Sequence, residues 1–278
     1  MALTLPTRPL GRTGLAVSVL GLGTVKLGRN EGVKYPHGFE LPTDDEARGL
    51  IDAARELGIS LIDTAPAYGA SEERLGGLIA DSRDDWTIVT KAGETFADGR
   101  SSFDFSPEAI AASVERSLKR LRTDRVECVL IHSDGRDAEI IEHDGVLETL
   151  GDLRSRGLCL SIGISTKTLE GAMLALERGA EVLMLAVNPQ DRSQLPAVRA
   201  AAARGVGVLV KKGLSSGHLG DRPGDRSRAV RESMELSLGE PGVSSVVVGT
   251  INPEHLRENV RAAIGAAASI PSQPGDDV

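Results

Sequence analysis

At 278 residues with a formal net charge of −8, the chain is long enough for one large core, and its charge speaks against nucleic acid, whose phosphates demand clustered Lys and Arg. No apolar run approaches the roughly 20 residues of a membrane-spanning helix, so no membrane contact is expected and a small molecule is the expected partner. The start, MALTLPTRPLGRTGL, lacks the apolar centre of a secretory leader, and two cysteines, Cys128 and Cys159, cannot frame a disulfide scaffold; a reducing cytoplasm is therefore expected. Both cysteines sit inside apolar runs and read as small core residues.

The opening RPLGRTGLAVSVLGLGT has a Gly-Arg-Thr-Gly centre that predicts a short hairpin. From there a short apolar run, a loop and a segment of helical period recur. Strands are predicted at VSVLGLG, SLIDT, TIVTK, VECVLIH, LSIGIS, VLMLAV, VGVLVKK and SSVVVGT. Helices are predicted at DDEARGLIDAARELG, SEERLGGLIAD, SPEAIAASVERSLKRL, DGVLETLGDLRSRG, TLEGAMLALERG, QLPAVRAAAARG, RSRAVRESMELSLG and NPEHLRENVRAAIG, many opening on a capping residue or closing on Gly. The strands are continuous apolar runs without alternation, as parallel strands covered on both faces require. Eight such units predict a (β/α)8 TIM barrel with a short N-terminal β-hairpin, one domain over residues 1–278 with a loose tail at 271–278. A doubly wound sheet is the rival, but the first turn, GLGTVKLG, misplaces the third glycine of its fingerprint.

In such a barrel, chemistry sits where the strands end. The second run ends at Asp63, with Tyr68 in the next loop; the third ends at Lys91 and the fourth at His132. A phenol donates a proton poorly near neutrality unless a cation supports its phenolate, a task within reach of Lys91. Asp63 would hold the ammonium, and His132 would orient a substrate oxygen towards Tyr68. A structural ion pair under a packed tyrosine is the plainer alternative, and it needs four coincidences of residue type and position.

These residues resemble the aldo-keto reductases. IDTAPAYG carries Asp63 and Tyr68, IVTK carries Lys91, and VLIH carries His132; LGLGT, SEERLG, SVERSLKRLRTDRVE, SIGIST and LRENV extend the resemblance over nearly the whole chain. The resemblance implies reduction of a small carbonyl substrate, an aldehyde or ketone, with hydride from NADPH, or NADH, and the proton from Tyr68, without a metal. It implies cofactor contacts at Gly23 and Thr24, phosphates near Lys212, Gly213 and Leu214 and near Gly249 and Thr250, and adenine contacts at Glu258 and Asn259. Ser165 and Thr166 stand where the family has Ser-Asn to hold the carboxamide, Met184 where it has Gln, with Asn188 as a substitute, and Lys211 where it has an aromatic ring. Lys211, as a cation, would favour the neutral reduced nicotinamide over the oxidised one; the alternative is that it points away or pairs with a phosphate or a carboxylate. The family's basic positions for a ribose 2′-phosphate hold Gly249, Ile251 and His255, which leaves NADH a rival to NADPH. A non-catalytic nucleotide-binding relative, and a barrel lyase or isomerase of a phosphorylated metabolite, are the alternatives.

The loop GRNEGVKYPHGFELPTD, with Tyr35, His37 and Phe39, offers one wall of a substrate pocket, and Phe96, Phe103 and Phe105 offer another, the alternative for either group being that its aromatics simply pin their loops to the barrel. Trp86 starts the third strand, away from the chemistry. His143, His218 and His255 lack metal-ligand spacing, so no metal is expected. The segment from Ser215 to Arg228 is short, which predicts a loosely strapped cofactor, and a monomer or weak homo-oligomer is expected.

Overall fold

The computed structural model describes residues 5–218 and 224–269; the tail expected at 271–278, and residues 219–223 of the short segment after Ser215, lie outside them. The eight apolar runs form β1 Leu20–Gly23, β2 Leu61–Asp63, β3 Thr87–Ala92, β4 Val126–His132, β5 Cys159–Ser165, β6 Val182–Ala186, β7 Gly207–Lys211 and β8 Val243–Gly249. Each pairs in parallel with its neighbours in chain order, and β8 returns to β1, closing the barrel. Closure leaves none of the eight with an unpaired edge. The helices α1 Asp44–Glu56, α2 Ser71–Leu78, α3 Pro107–Leu121, α4 Val146–Ser155, α5 Leu169–Glu177, α6 Leu195–Arg204, α7 Asp225–Gly239 and α8 Pro253–Ala268 follow the strands one by one.

Local chemistry fixes where the helices begin. Thr43 and Glu46 form a reciprocal capping box at α1, and Ser106, Thr168 and Asn252 each accept a backbone N–H at the head of α3, α5 and α8. One apolar layer fills the space between strands and helices. A second fills the barrel itself, where Leu61, Val89, Cys128, Leu130, Val182, Met184 and Leu209 meet Leu10 and Val17. Those last two come from the hairpin of Thr7–Pro9 and Ala16–Ser18. Arg8 donates to the carbonyls of Leu238 and Val243, at the end of α7 and the start of β8, so the hairpin plugs the end of the barrel where strands begin. The opposite end stays open.

Beyond the eight expected strand-helix units lie short helices at Val25–Gly28 and Asp137–Glu142, 3-10 turns at Pro66–Tyr68, Ala80–Asp85 and Ser215–Gly217, and an antiparallel hairpin of Glu94–Ala97 with Arg100–Phe103. Cys128 and Cys159 are buried and unpaired, as their apolar settings imply. Among the described residues no helix is long and apolar enough to cross a membrane.

Candidate active site

The open end of the barrel brings Asp63, Tyr68, Lys91 and His132 together. Lys91 is 1% exposed and Asp63 4%, so the ammonium cannot turn to water and must find its partners in the protein. It finds three, one for each N–H: Asp63 Oδ1 at 2.5 Å, the Thr64 carbonyl at 2.9 Å and Tyr68 Oη at 3.1 Å. Tyr68 Oη in turn donates to Asp63 Oδ2 over 3.3 Å, a long and weak contact. The phenol oxygen therefore accepts from Lys91 while its own hydrogen is only loosely held.

The backbone around this group is tied down from below. Thr24, at the end of β1, donates both its N–H and its hydroxyl to the Asp63 carbonyl, and Ser71 bridges Thr24 to Thr64. Tyr68 ends a single 3-10 turn, Pro66–Tyr68, that Gly69 closes at φ 62°. A Cβ on Gly69 would come within 2.2 Å of the Gly28 carbonyl oxygen, so glycine permits the close approach that aims the tyrosine inward. Behind Lys91, fully buried Glu72 accepts from Thr90 at 2.6 Å and faces Arg120 at 3.4 Å.

Burial first, and then the Asp63 charge, push the Tyr68 phenol well above its ordinary pKa. Although Lys91 touches its oxygen, burial and the Asp63 charge prevail, and the phenol is held protonated. His132 is pushed down by burial and by the Lys91 and Lys211 charges, and up by Glu94. Its ring meets Tyr68 edge-on at 6.2 Å.

Above these groups lies a cleft of about 580 Å³, a size suited to a cofactor and substrate. Of the residues the resemblance assigns to the cofactor, Gly23, Thr24, Lys211, Lys212, Gly213, Leu214, Gly249, Thr250, His255 and Asn259 line it, and so do Tyr35, His37 and Phe39. The second wall differs. Phe96, Phe103 and Phe105 do not line the cleft; Phe96 stacks under Arg29 at 3.5 Å and Phe105 is buried. Asn188 is also turned away, because its side-chain oxygen accepts from the N–H groups of Gln190 and Asp191 and its amide donates to the Lys212 carbonyl. It braces a turn. Glu258 lies outside the lining and is held by Arg226 at 2.7 Å and by Ser227.

Lys211 occupies an unexpected position. Its ammonium donates to Ser165 Oγ and to the Thr166 carbonyl, both at 2.7 Å, and burial, with Lys212 and Lys91, lowers its pKa to about 7. Met184 points into the barrel core. Lys26, Lys34, Lys167 and Arg226, none singled out from sequence, join Lys211 and Lys212 on the cleft, where among the described residues the one lining carboxylate is Asp63, already neutralised by Lys91. Among the described residues no group of His, Cys, Asp and Glu could hold a metal.

A closed parallel barrel with a buried Asp-Lys pair, a phenol and an imidazole at its open end defines an oxidoreductase class, and comparison with known proteins agrees. The model of the Aldo/keto reductase family matches residues 19–238. The chain therefore belongs to the aldo/keto reductase family, and it is an oxidoreductase. It is similar to an uncharacterized oxidoreductase of Bacillus subtilis, YqkF, with 26% identity over 92% of this chain and 90% of the relative. It is 29% identical to L-galactose dehydrogenase of Arabidopsis thaliana over 92% and 87% of the two chains. Among solved structures, PA4992 of Pseudomonas aeruginosa, a candidate aldo-keto reductase, shares 50% identity with a TM-score of 0.84, covering 94% of each chain.

Replacing Asp63 by Asn would leave the Lys91 ammonium buried without a counter-charge. Asp63→Asn is expected to cost about 3–5 kcal/mol in urea unfolding; a loss under about 1 kcal/mol would show that the pair is not buried as described.

Proposed function

We propose that this enzyme reduces aldehydes or ketones, aldoses among them, to alcohols, with NADPH as the preferred cofactor and Tyr68 as the proton donor. The observation that carries the reading is the Lys91 ammonium bonded at once to Asp63 and to the phenol oxygen, beside the His132 ring. D-threo-aldose 1-dehydrogenase of a Pseudomonas species, 26% identical over 90% of each chain, points to sugar-like substrates.

The residues suit a nicotinamide dinucleotide. Asn259, which lines the cleft, has a buried Oδ1 with no partner, and such an atom calls for a polar ligand. Lys26, Arg226 and His255 lie close enough to act on one another's charge and would hold a ribose 2′-phosphate, replacing the basic positions missing from the last strand-helix loop. Lys34 and Lys212, coupled in the same way, would hold the diphosphate. A bound reduced nicotinamide supplies the hydride.

The protein's part is the proton. The Tyr68 hydroxyl turns from its long contact with Asp63 to the carbonyl oxygen, to which the His132 ring also donates when its Nε2 carries a proton. As hydride reaches carbon, that oxygen becomes an alkoxide far more basic than a phenolate, so even a phenol with a raised pKa gives up its proton to it. Lys91, 3.1 Å away, supports the phenolate left behind.

Loss of NADPH absorbance with an aromatic aldehyde tests this. Tyr68→Phe is expected to lose about 10²–10⁴ in kcat with cofactor binding intact, and Arg226→Leu to weaken NADPH by about tenfold while sparing NADH. Undiminished turnover in Tyr68→Phe would overturn the reading. Lys211 carries its charge below about pH 7 and sheds it above, so the oxidised, cationic cofactor should bind less well at low pH. The ratio of oxidised to reduced cofactor affinity is expected to rise several-fold between pH 6 and 8, measured by fluorescence titration, and to lose that dependence in Lys211→Met. An unchanged ratio in the intact enzyme would remove Lys211 from this role.

A further inference from the structure

His132 has a partner that no strand-end motif announces. Glu94 begins the Glu94–Ala97 strand of the hairpin beside the site, and its Oε2 lies 2.8 Å from His132 Nδ1. As it stands His132 Nδ1 is buried without an aligned hydrogen bond, and the contact becomes an ion pair when the ring is protonated. The carboxylate is not free to drift. Ser101, across the hairpin, donates to Oε1 at 2.6 Å, and Arg29 stands 3.9 Å from the same oxygen. Arg29 is itself fixed by the carbonyls of Glu31, Ala67 and Gly32 and by the Phe96 ring. His132, Ser101 and Arg29 together hold Glu94 ionised, with its pKa lowered to about 2 although burial opposes this.

Burial, Lys91 from β3 and Lys211 from β7 work against protonation of the imidazole, while Glu94, the main opposing influence among the described residues, raises its proton affinity. Asp63 is spent on Lys91, and Tyr68 presents a neutral phenol edge-on. A carboxylate at Nδ1 does two things: it stabilises the imidazolium, and it draws the single proton of the neutral ring onto Nδ1. The opposite nitrogen, Nε2, is then the one whose proton comes and goes.

We propose that Glu94 is a positioning residue for His132: its anchored carboxylate keeps a proton on Nδ1, which makes Nε2 the nitrogen that exchanges a proton beside the substrate oxygen. The proposal rests on the carbonyl-reduction reading above and adds a consequence. Protonated Nε2 donates to a carbonyl oxygen, and bare Nε2 accepts from an alcohol, so reduction is favoured below the pKa of His132 and oxidation above it.

Nitrogen NMR of the ¹⁵N-histidine-labelled full chain tests the assignment without turnover; the chain holds five histidines, and His132→Asn identifies the signal. The neutral form should carry its proton on Nδ1, and the titration should move to lower pH in Glu94→Gln. Ser101→Ala, which loosens the anchor but keeps the carboxylate, should move it less in the same direction, and guards against a Glu94 variant that folds poorly. In the aldehyde assay Glu94→Gln should lose about tenfold or more in kcat with unchanged NADPH affinity, and the high-pH fall in reduction should begin earlier. A proton on Nε2 in the intact protein, or a titration that ignores Glu94→Gln, would overturn the proposal. An intact enzyme that reduces no carbonyl compound while the nitrogen results hold would instead count against the reading of the reaction.

Discussion

The Lys91 ammonium, 1% exposed, has to be satisfied inside the protein, and the geometry of the site follows from that requirement. Its three N–H groups take one carboxylate, one carbonyl and one phenol oxygen, so the positions of Asp63, Thr64 and Tyr68 are coupled through a single atom. The Thr24, Ser71 and Thr64 hydroxyls bind the same stretch to the end of β1. A buried ion pair is costly unless its geometry is complete, and here every donor is used. The closed barrel provides the rigidity, because β1, β2 and β3 are paired in fixed register up to Gly23, Asp63 and Val89.

Around this neutralised pair the cleft is strongly positive in a chain of net charge −8. An electrostatic contrast of that kind draws anions to one mouth and repels them elsewhere. It also explains why Lys211 and His132 lean towards their neutral forms: each is buried among neighbouring cations, and Glu94 counters them at His132.

The barrel was legible because parallel strands covered on both faces leave continuous apolar runs; seven of the eight appear within a residue of their expected bounds, and the first starts three residues late because Val17 and Ser18 belong to the hairpin. Asp63, Tyr68, Lys91 and His132 were legible because polar groups at the ends of such runs have few structural reasons to be there. The misses have physical causes. Asn188 sits in Asn-Pro-Gln-Asp, a turn sequence whose side chain serves its own backbone. Glu94 lies on a short, half-polar hairpin, although Asp98-Gly99, both at positive φ, is a hairpin signal that could have exposed it. Arg226 and Lys26 meet across the cleft from α7 and the turn after β1, a proximity set by tertiary closure alone.

The central claim is that Tyr68 is a protonated donor, its phenol raised by burial and by Asp63 while Lys91 waits on its oxygen. The chain has two tyrosines, Tyr35 and Tyr68, so ¹³C labelling of the phenol carbon gives two signals, separated by Tyr35→Phe. The account predicts that the Tyr68 signal stays that of a neutral phenol past the pH where a free tyrosine ionises, about 10. A phenolate signal from Tyr68 near neutral pH would contradict it.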